Sequence, residues 1–342
     1  MARDVHLAPL GVAARGAPVP GWEVLLRTGP DAVTSVDCGR ADVLAWARDC
    51  GETVHAHVRR RMATVEAPRP AFAGLSMDRP RVMGILNATP DSFSDGGRHF
   101  AVDDAVRGGL AMLEAGADIL DVGGESTRPG SEEVLPEEEI RRVVPVIRAL
   151  AERGALVSID TRHAAVMEAA VAAGAAIIND VTALTGEPAS LPTAARLGVP
   201  VILMHIQGEP RTMQADPRYS FAPLDVFDWL EARVEACLAA GIARADLCVD
   251  PGIGFGKTVE HNAQILKRLG LLHGLGCPVL LGISRKIFIA RVSRGEPPLE
   301  RLPGSLAAAV MGAERGMHIL RVHDVAETVQ ALAVVRAVEM VS

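Results

Sequence analysis

One rhythm dominates the chain from Arg81 onward. A short aliphatic run is followed by a polar or glycine-rich loop and then by a longer stretch of helical period, rich in Ala, Leu, Glu and Arg, and this succession occurs eight times. The runs predict strands at 82–86, 119–122, 156–159, 177–178, 199–204, 247–249, 279–282 and 319–322. The stretches predict helices at 102–115, 136–153, 163–173, 191–197, 224–240, 259–269, 304–315 and 325–340. Eight such units in about 260 residues match a (β/α)8 TIM barrel.

A doubly wound open sheet is the alternative interpretation of this rhythm. Every run ends in a polar or charged group or is followed by one: Asn87, Asp121, Asp160, Asn179, His205, Asp250, Ser284 with Lys286, and Arg321 with His323. In a barrel all strand carboxyl ends face one cavity, whereas an open sheet gathers only those beside its switch point. The barrel accounts for more of the sequence, so we predict an α/β fold with a (β/α)8 barrel that spans residues 79–342.

Residues 1–78 do not follow the rhythm. They contain nine Arg and nine acidic residues, with Pro-rich stretches at 18–20 and 68–70. We predict a small N-terminal α+β extension of unknown role, with strands at 22–28 and 53–61 around a helix at 41–50. A core this small is marginal alone, so we expect it to lean on the barrel or on a partner subunit.

Composition excludes several classes of function. The chain is 49% hydrophobic and 23% charged with a net charge of -7, so it offers nucleic acid no general attraction. Its five cysteines form an odd set without CxxC spacing, which argues against a disulfide scaffold or a zinc knuckle. It has neither the apolar segment of a signal peptide nor a run long enough to span a membrane. We therefore expect a cytoplasmic protein with no nucleic-acid or membrane partner.

The predicted cavity combines carboxylates with an amide. Asp160 in SIDT, Asn179 in IIND and Asp250 in DPGIGFGK stand at the ends of the third, fourth and sixth predicted strands. Buried carboxylates need partners, and one that accepts two parallel N–H bonds suits the amidine-like edge of a pterin or guanine. The alternative is that Asp160 and Asp250 cap the helices that follow them. GIGFGK is not a P-loop, because Pro251 stands where the first glycine is required.

Cations are predicted on the other side of the cavity. Ser284 to Lys286 form SRK, and in RVHD the side chains of Arg321 and His323 project to the same side of a strand. Barrels commonly bind phosphate after strands seven and eight, so we predict an anion site there, with a helix N-terminal network as the alternative. The loops at 86–100 and from Gly123, which carries Arg128, are long enough to be functional. His205 has no HxH partner and fits a packed histidine better than a zinc ligand.

Eight motifs in this order resemble those of the dihydropteroate synthase family, the sulfonamide targets of folate biosynthesis. They are NATPDSFSDGG, GGESTRPG, SIDT, IIND, LMH, DPGIGFGK, SRK and RVHD. The resemblance implies a TIM barrel, usually a homodimer, that uses Mg²⁺. It also implies condensation of 6-hydroxymethyl-7,8-dihydropterin diphosphate with 4-aminobenzoate, releasing diphosphate. The alternatives are a non-catalytic pterin-binding barrel and a pterin-dependent methyltransferase.

The resemblance also implies roles for individual residues. Pterin contacts would be Asp160, Asn179, Met204, Asp250, Phe255 and Lys286. The diphosphate would lie against Asn87, Thr127, Arg128, Arg321 and His323, with Asn87 also on the metal. The 4-aminobenzoate pocket would use Phe93, Arg128, Pro129 and Lys286, and the catalytic residues would be Asp95, Arg128 and Lys286. Ile287 departs from the Ser or Arg that many members carry, which puts a contact to the 4-aminobenzoate carboxylate and sulfonamide affinity in doubt.

Overall fold

The N-terminal extension is a three-stranded sheet covered by two helices. In this computed structural model, which describes residues 2–11, 19–88, 98–125, 134–209 and 211–339, the strands are β1 (Val5–Pro9), β2 (Trp22–Gly29) and β3 (Ala32–Cys38), paired antiparallel in that order. Helices α1 (Arg40–Asp49) and α2 (Glu52–Glu66) follow. The predicted strand at 22–28 and helix at 41–50 are confirmed.

The predicted strand at 53–61 is wrong, because this segment lies within helix α2. Val54, Val58 and Met62 recur every four residues and are its buried side chains. That spacing places them on one face of a helix, where they pack against Trp22 and Val24 in a separate small core. The β-branched residues of the segment favoured a strand, and the helical spacing of its apolar positions decides the outcome.

Eight parallel strands form the barrel, and its predicted fold class is confirmed. They are β4 (Arg81–Asn87), β5 (Ile119–Gly123), β6 (Val157–Asp160), β7 (Ile177–Asp180), β8 (Val201–Met204), β9 (Leu247–Asp250), β10 (Leu280–Leu281) and β11 (Ile319–Val322). The order in the sheet is β10-β11-β4-β5-β6-β7-β8-β9, and a parallel bridge between Val249 and Val279 joins its two ends. All strand carboxyl ends therefore open into one mouth, as the barrel interpretation requires.

Helices surround the strands in the predicted alternation. They are α3 (Arg98–Glu114), α4 (Pro136–Ala151), α5 (Ala164–Ala172), α6 (Ser190–Leu197), α7 (Ala222–Ala239), α8 (Val259–Lys267), α10 (Leu302–Glu314) and α11 (Val325–Glu339). A further short helix, α9 (Ile287–Val292), precedes α10 and was not predicted. Helix α4 starts as expected, with Pro136 in its first turn and three glutamates at the positive end of the helix dipole. None of the helices in the described ranges is long and apolar enough to cross a membrane.

Phe72 forms the floor of the barrel. Its side chain is fully buried in a cluster with one buried side chain from each of seven strands: Met83, Ile119, Ile177, Ile202, Cys248, Leu280 and Ile319. Phe72 and Leu75 exchange two backbone hydrogen bonds of 2.9 Å, so the chain turns back on itself just before β4. The connection from the extension thus fills the end of the barrel opposite the mouth.

The extension docks on the outside of the barrel through charged pairs. Arg27 of β2 donates to Asp225 and Asp228 of α7 at 2.7 and 2.9 Å, and Arg268 donates to both oxygens of Glu23 over 2.7–3.0 Å. The Glu23 and Arg268 side chains are only 10% and 12% exposed, so this pair is shielded from solvent. The extension therefore packs against the barrel, as expected.

Candidate active site

The mouth of the barrel holds an arginine between two carboxylates. Arg321 of β11 donates from Nε to Asp121 Oδ2 and from Nη2 to Asp160 Oδ2, both at 2.6 Å. Asn179 Nδ2 donates to the same Asp121 oxygen at 3.0 Å. Strands β5, β6, β7 and β11 thus each contribute one polar side chain to a single network, and Asp121, which is fully buried, lies at its centre.

Asp250 and Lys286 complete the cluster. Gly282 separates Asp250 from Arg321, since a Cβ placed on it would lie 3.7 Å from Asp250 Oδ2 and 3.9 Å from Arg321 Cβ. Lys286 Nζ donates to Ile253 O at 2.6 Å and lies 4.0 Å from the centre of the Phe255 ring. The six polar side chains at the mouth therefore form one site rather than a scatter over separate surfaces.

Burial and charge shift the pKa values of this cluster in opposite directions. Burial raises the pKa of the Asp160 carboxyl to about 7, against the opposing effect of Arg321. Burial lowers the pKa of the Lys286 ammonium to about 7, although the neighbouring Asp250 favours its charge. Burial also works against the charge of Arg321, yet Asp121 and Asp160 raise its pKa above the ordinary value. Lys286 is consequently the cation of this site whose charge changes near neutral pH.

Neither Asp160 nor Asp250 caps the helix that follows it, so the alternative to a cavity role is wrong. No side chain caps α5, and the residue before α8 is Thr258, whose hydroxyl accepts from the His261 backbone N–H. Asp160 instead binds Arg321, and Asp250 Oδ1 accepts from the Gly252 backbone N–H at 2.7 Å. Both carboxylates keep a second oxygen for a ligand.

The structure places the other predicted residues as follows. Met204 is buried at the end of β8, and Asn87 is half-buried at the end of β4 beside β5. His323 Nδ1 lies 3.0 Å from Ser284 Oγ, which joins the ends of β10 and β11, whereas Arg321 points to the carboxylates. The predicted residues Phe93, Asp95, Thr127, Arg128 and Pro129 lie outside the described residues.

Sequence reasoning placed Asp121 at a strand end without giving it a role, and it missed Lys257. Asp121 ends a strand in the apolar run ILDV, as Asp160 does in SID, and that shared position was the available signal. Lys257 is one of only three lysines in the chain, and it is 1% exposed. Its ammonium lies 2.9 Å from His205 Nδ1, which explains why this solitary histidine is packed and hydrogen-bonded rather than free to bind a metal. The buried lysine also confirms that GIGFGK is not a phosphate loop.

A second polar cluster lies beside the mouth. Ligand atoms of Glu125, Glu139 and His163 all lie within 4.8 Å of one another, in a region built from β5, α4 and the start of α5. Arg162 pairs with Glu125 at 3.3 Å, and His163 Nδ1 contacts Glu139 Oε2 at 2.8 Å. These pairs already balance the charges that a cation would neutralise.

Comparisons with known proteins agree with this geometry. The family described as pterin binding enzyme matches residues 83–323. The dihydropteroate synthase of Escherichia coli K12 is 50% identical over 264 residues, which cover 77% of this chain and 93% of that protein. The dihydropteroate synthase of Mycobacterium leprae is 44% identical over 270 residues, which cover 77% of this chain and 95% of that protein.

Solved structures give the same result. The Xanthomonas albilineans dihydropteroate synthase with 4-aminobenzoic acid is 50% identical, with a TM-score of 0.75 over 81% of this chain and all of that chain. The same enzyme in complex with 7,8-dihydropteroate is 48% identical, with a TM-score of 0.73 over 80% of this chain and 100% of that chain. The chain therefore belongs to the pterin-binding enzyme family, and these relatives within that family are dihydropteroate synthases.

Proposed function

We propose that the chain is a dihydropteroate synthase: it joins 6-hydroxymethyl-7,8-dihydropterin diphosphate to 4-aminobenzoate and releases diphosphate. The observation that carries this conclusion is the cluster of three carboxylates, one amide and two cations at the mouth of the barrel. A flat heterocycle with N–H donors on one edge and a carbonyl on another matches such a mixed set of acceptors and donors. The complexes of the Xanthomonas albilineans enzyme with 4-aminobenzoic acid and with 7,8-dihydropteroate support the same substrates.

Acceptors at the mouth bind the pterin ring. Asp160 and Asp250 each present a carboxylate oxygen that accepts no hydrogen bond from the described residues, and Asn179 adds an amide oxygen. These oxygens accept from the ring N–H groups, while the Lys286 ammonium donates to the ring carbonyl. Met204 and Phe255 supply the apolar walls of the pocket.

Cations bind the diphosphate. Arg321 keeps part of its guanidinium accessible, with 21% of its side chain exposed, and His323 follows it on the same strand end. Asn87 offers one hard amide oxygen at the same end of the barrel, which fits Mg²⁺ because this ion usually takes one or two protein ligands and completes its shell with phosphate oxygens and water. Asn87 would thus hold Mg²⁺, which when bound would supply positive charge for the diphosphate leaving group. We assign Thr127 and Arg128 to the same group from the motif alone.

The reaction requires separation of charge rather than a protein nucleophile. The carbon–oxygen bond at the pterin methylene breaks, and the amine nitrogen of 4-aminobenzoate bonds to that carbon and then loses a proton. Arg321 and His323 stabilise the charge that develops on the leaving group, and the acids around the ring stabilise the cationic pterin. We assign Asp95 and Arg128 to catalysis, and Phe93 and Pro129 to the 4-aminobenzoate pocket, in the two loops beside the mouth.

A turnover assay tests this function. Purified protein with Mg²⁺, the pterin diphosphate and 4-aminobenzoate should release diphosphate and form 7,8-dihydropteroate. Omitting either substrate is the control, and 6-hydroxymethyl-7,8-dihydropterin without its diphosphate should bind but not react. Binding of the pterin diphosphate with no turnover at any 4-aminobenzoate concentration would instead favour a non-catalytic pterin-binding barrel. Methyl transfer to a corrinoid would favour the methyltransferase.

We also propose that the protein is a cytoplasmic homodimer. Large apolar side chains are exposed on α9, on the turn before α10 and on α11: Val292, Leu299, Val334 and Val338 are 57–76% exposed. Large exposed apolar groups are candidates for an interaction surface. Light scattering of the wild type and of Leu299→Asp, which should dissociate the dimer, tests this assembly. All five cysteines are free thiols, which suits a reducing compartment.

A further inference from the structure

Residues 252–256 form a loop in which five successive carbonyl oxygens each accept a side-chain hydrogen bond. This loop follows β9 and leads to Lys257 and helix α8. The donors, in order along the loop, are Lys257 at 2.9 Å, Lys286 at 2.6 Å, Gln214 at 2.5 Å, Lys257 again at 2.9 Å and Tyr219 at 2.8 Å. Because each carbonyl of the loop is hydrogen-bonded, these donors fix the orientation of the loop peptides and therefore the positions of the loop side chains.

Lys257 is the internal donor of this loop. Its ammonium is matched by three acceptors at 2.9 Å: Gly252 O, Phe255 O and His205 Nδ1. Burial followed by the charge of Lys257 lowers the pKa of His205 to about 2, so this imidazole is neutral and accepts at Nδ1. A fourth acceptor, His205 O, lies at 3.3 Å. Burial lowers the pKa of Lys257 well below its ordinary value, and these acceptors oppose that loss of charge.

The loop wraps closely around the lysine. Gly252 and Gly256 have φ of 64° and 60°, and a Cβ on them would lie 1.9 Å from His205 O and 2.3 Å from Gln207 O. Only glycine allows this approach. With the carbonyls of Gly252 and Phe255 turned toward Lys257, the Ile253 carbonyl is turned the other way and accepts from Lys286.

We propose that Lys257 is a positioning residue for the pterin pocket: its buried ammonium draws two carbonyls of the loop inward and thereby presents the Ile253 carbonyl and the Phe255 ring to Lys286. Both presented groups favour the ammonium form of Lys286, one as a hydrogen-bond acceptor and the other as a ring face 4.0 Å away. Lys257 thus acts on the substrate through Lys286 and the Phe255 ring. This inference rests on the proposed function.

Substitution of Lys257 by Met tests the inference. Lys257→Met should bind the pterin diphosphate about tenfold more weakly, equivalent to about 1.4 kcal/mol. A merely structural lysine would change stability without changing the chemistry of Lys286. The informative second readout is therefore the pKa of Lys286. Removing the positive charge of Lys257 would by itself raise this pKa, so a fall requires that Lys286 has lost the Ile253 carbonyl and the Phe255 ring while Asp250, Arg321 and Asp160 still surround it.

Because the chain has three lysines, selective ¹⁵N labelling of lysine Nζ yields three signals that the variants assign. Lys267→Met is the matched control, since Lys267 is exposed and is the last residue of α8, at the end of the helix away from the loop. We expect this control to retain wild-type affinity, turnover and Lys286 titration. A folded Lys257→Met with wild-type pterin affinity and an unchanged Lys286 pKa would overturn the inference. Absence of turnover in the wild type and the control would instead refute the proposed function.

Two further measurements keep the test decisive if Lys257→Met does not fold. Lys257→Gln retains two N–H donors and should show the same changes with smaller size. In the wild-type protein, the Lys257 signal should be a protonated ammonium with slowly exchanging protons at neutral pH. A neutral amine, or protons that exchange as fast as those of Lys267, would overturn the inference without any variant.

Discussion

Arg321→Met should destabilise the barrel far more than loss of an ordinary surface arginine. Arg321 makes two charge-assisted hydrogen bonds of 2.6 Å, to Asp121, which is 0% exposed, and to Asp160, which is 12% exposed. Each such bond stabilises a fold by about 1.5–3 kcal/mol. Removing one partner of a buried ion pair costs about 3–5 kcal/mol, because it leaves uncompensated charge behind. We expect a loss in that range.

Coupling between Arg321 and Asp121 is the sharper measurement. In Arg321→Met, two carboxylates face each other without a cation, so adding Asp121→Asn should cost little or restore stability. The loss in unfolding free energy of the double variant should therefore be smaller than the sum of the two single losses by about 2 kcal/mol, within the usual range for directly bonded groups. Thermal and denaturant unfolding of the wild type, both single variants and the double variant supply the four values.

Arg218→Met is the matched control for this cycle. Arg218 pairs with Asp216 on the surface, where its side chain is 83% exposed, and we expect no measurable change in unfolding. If the two single effects at Arg321 and Asp121 add within about 0.5 kcal/mol, the two side chains are independent in solution. That result would refute the argument that a buried arginine holds the acids of the pocket together.

Four other outcomes follow from the structure. The difference in pterin affinity between the wild type and Lys286→Met should shrink as pH rises through about 7, because Lys286 loses its charge there, whereas Asp160, whose pKa burial also raises to about 7, titrates in both proteins; binding titrated against pH measures this difference. The hydrogen bond to Glu139 raises the pKa of His163 above its ordinary value of 6.5. The stability that the charged His163 contributes is therefore fully present below pH 6.5 and is lost as pH rises through the higher pKa of the folded state. The unfolding free energy of His163→Gln should lack this dependence on pH. Phe72→Ala should lose about 3–5 kcal/mol of stability with unchanged activity per folded molecule, since the floor is remote from the mouth. Calorimetry should find Asp250→Asn about 1.5–3 kcal/mol weaker for the pterin, and equal affinities would remove Asp250 from the site.

The repeating βα pattern was sufficient to predict the barrel, because strand and helix periods are local properties of the chain. The same pattern failed in the extension, where residues 53–61 combine β-branched side chains with helical spacing. The secondary structure of such short segments depends on the surface against which they pack. Val54 and Val58 are buried because the sheet of the extension lies against α2. The small helix α9 was missed because six residues are too few to show a period.

For the site, the residues at the strand ends could be predicted, since parallel strands in a closed barrel deliver their carboxyl ends to one mouth. Their pairings could not. Arg321 was assigned to an anion from its neighbourhood in sequence, yet its partners Asp121 and Asp160 lie 200 and 161 residues away along the chain. The role of Lys257 likewise depends on His205, which lies 52 residues earlier.

The sequence by itself thus determined the eightfold alternation, the polar groups at the strand ends and, through the ordered motifs, the family. Tertiary structure alone decided which acid neutralises which cation, how the extension docks and which lysine is buried. The physical reason is that backbone periodicity is a property of neighbouring residues, whereas the free energy of a buried charge depends on whichever partner the closed barrel brings to it.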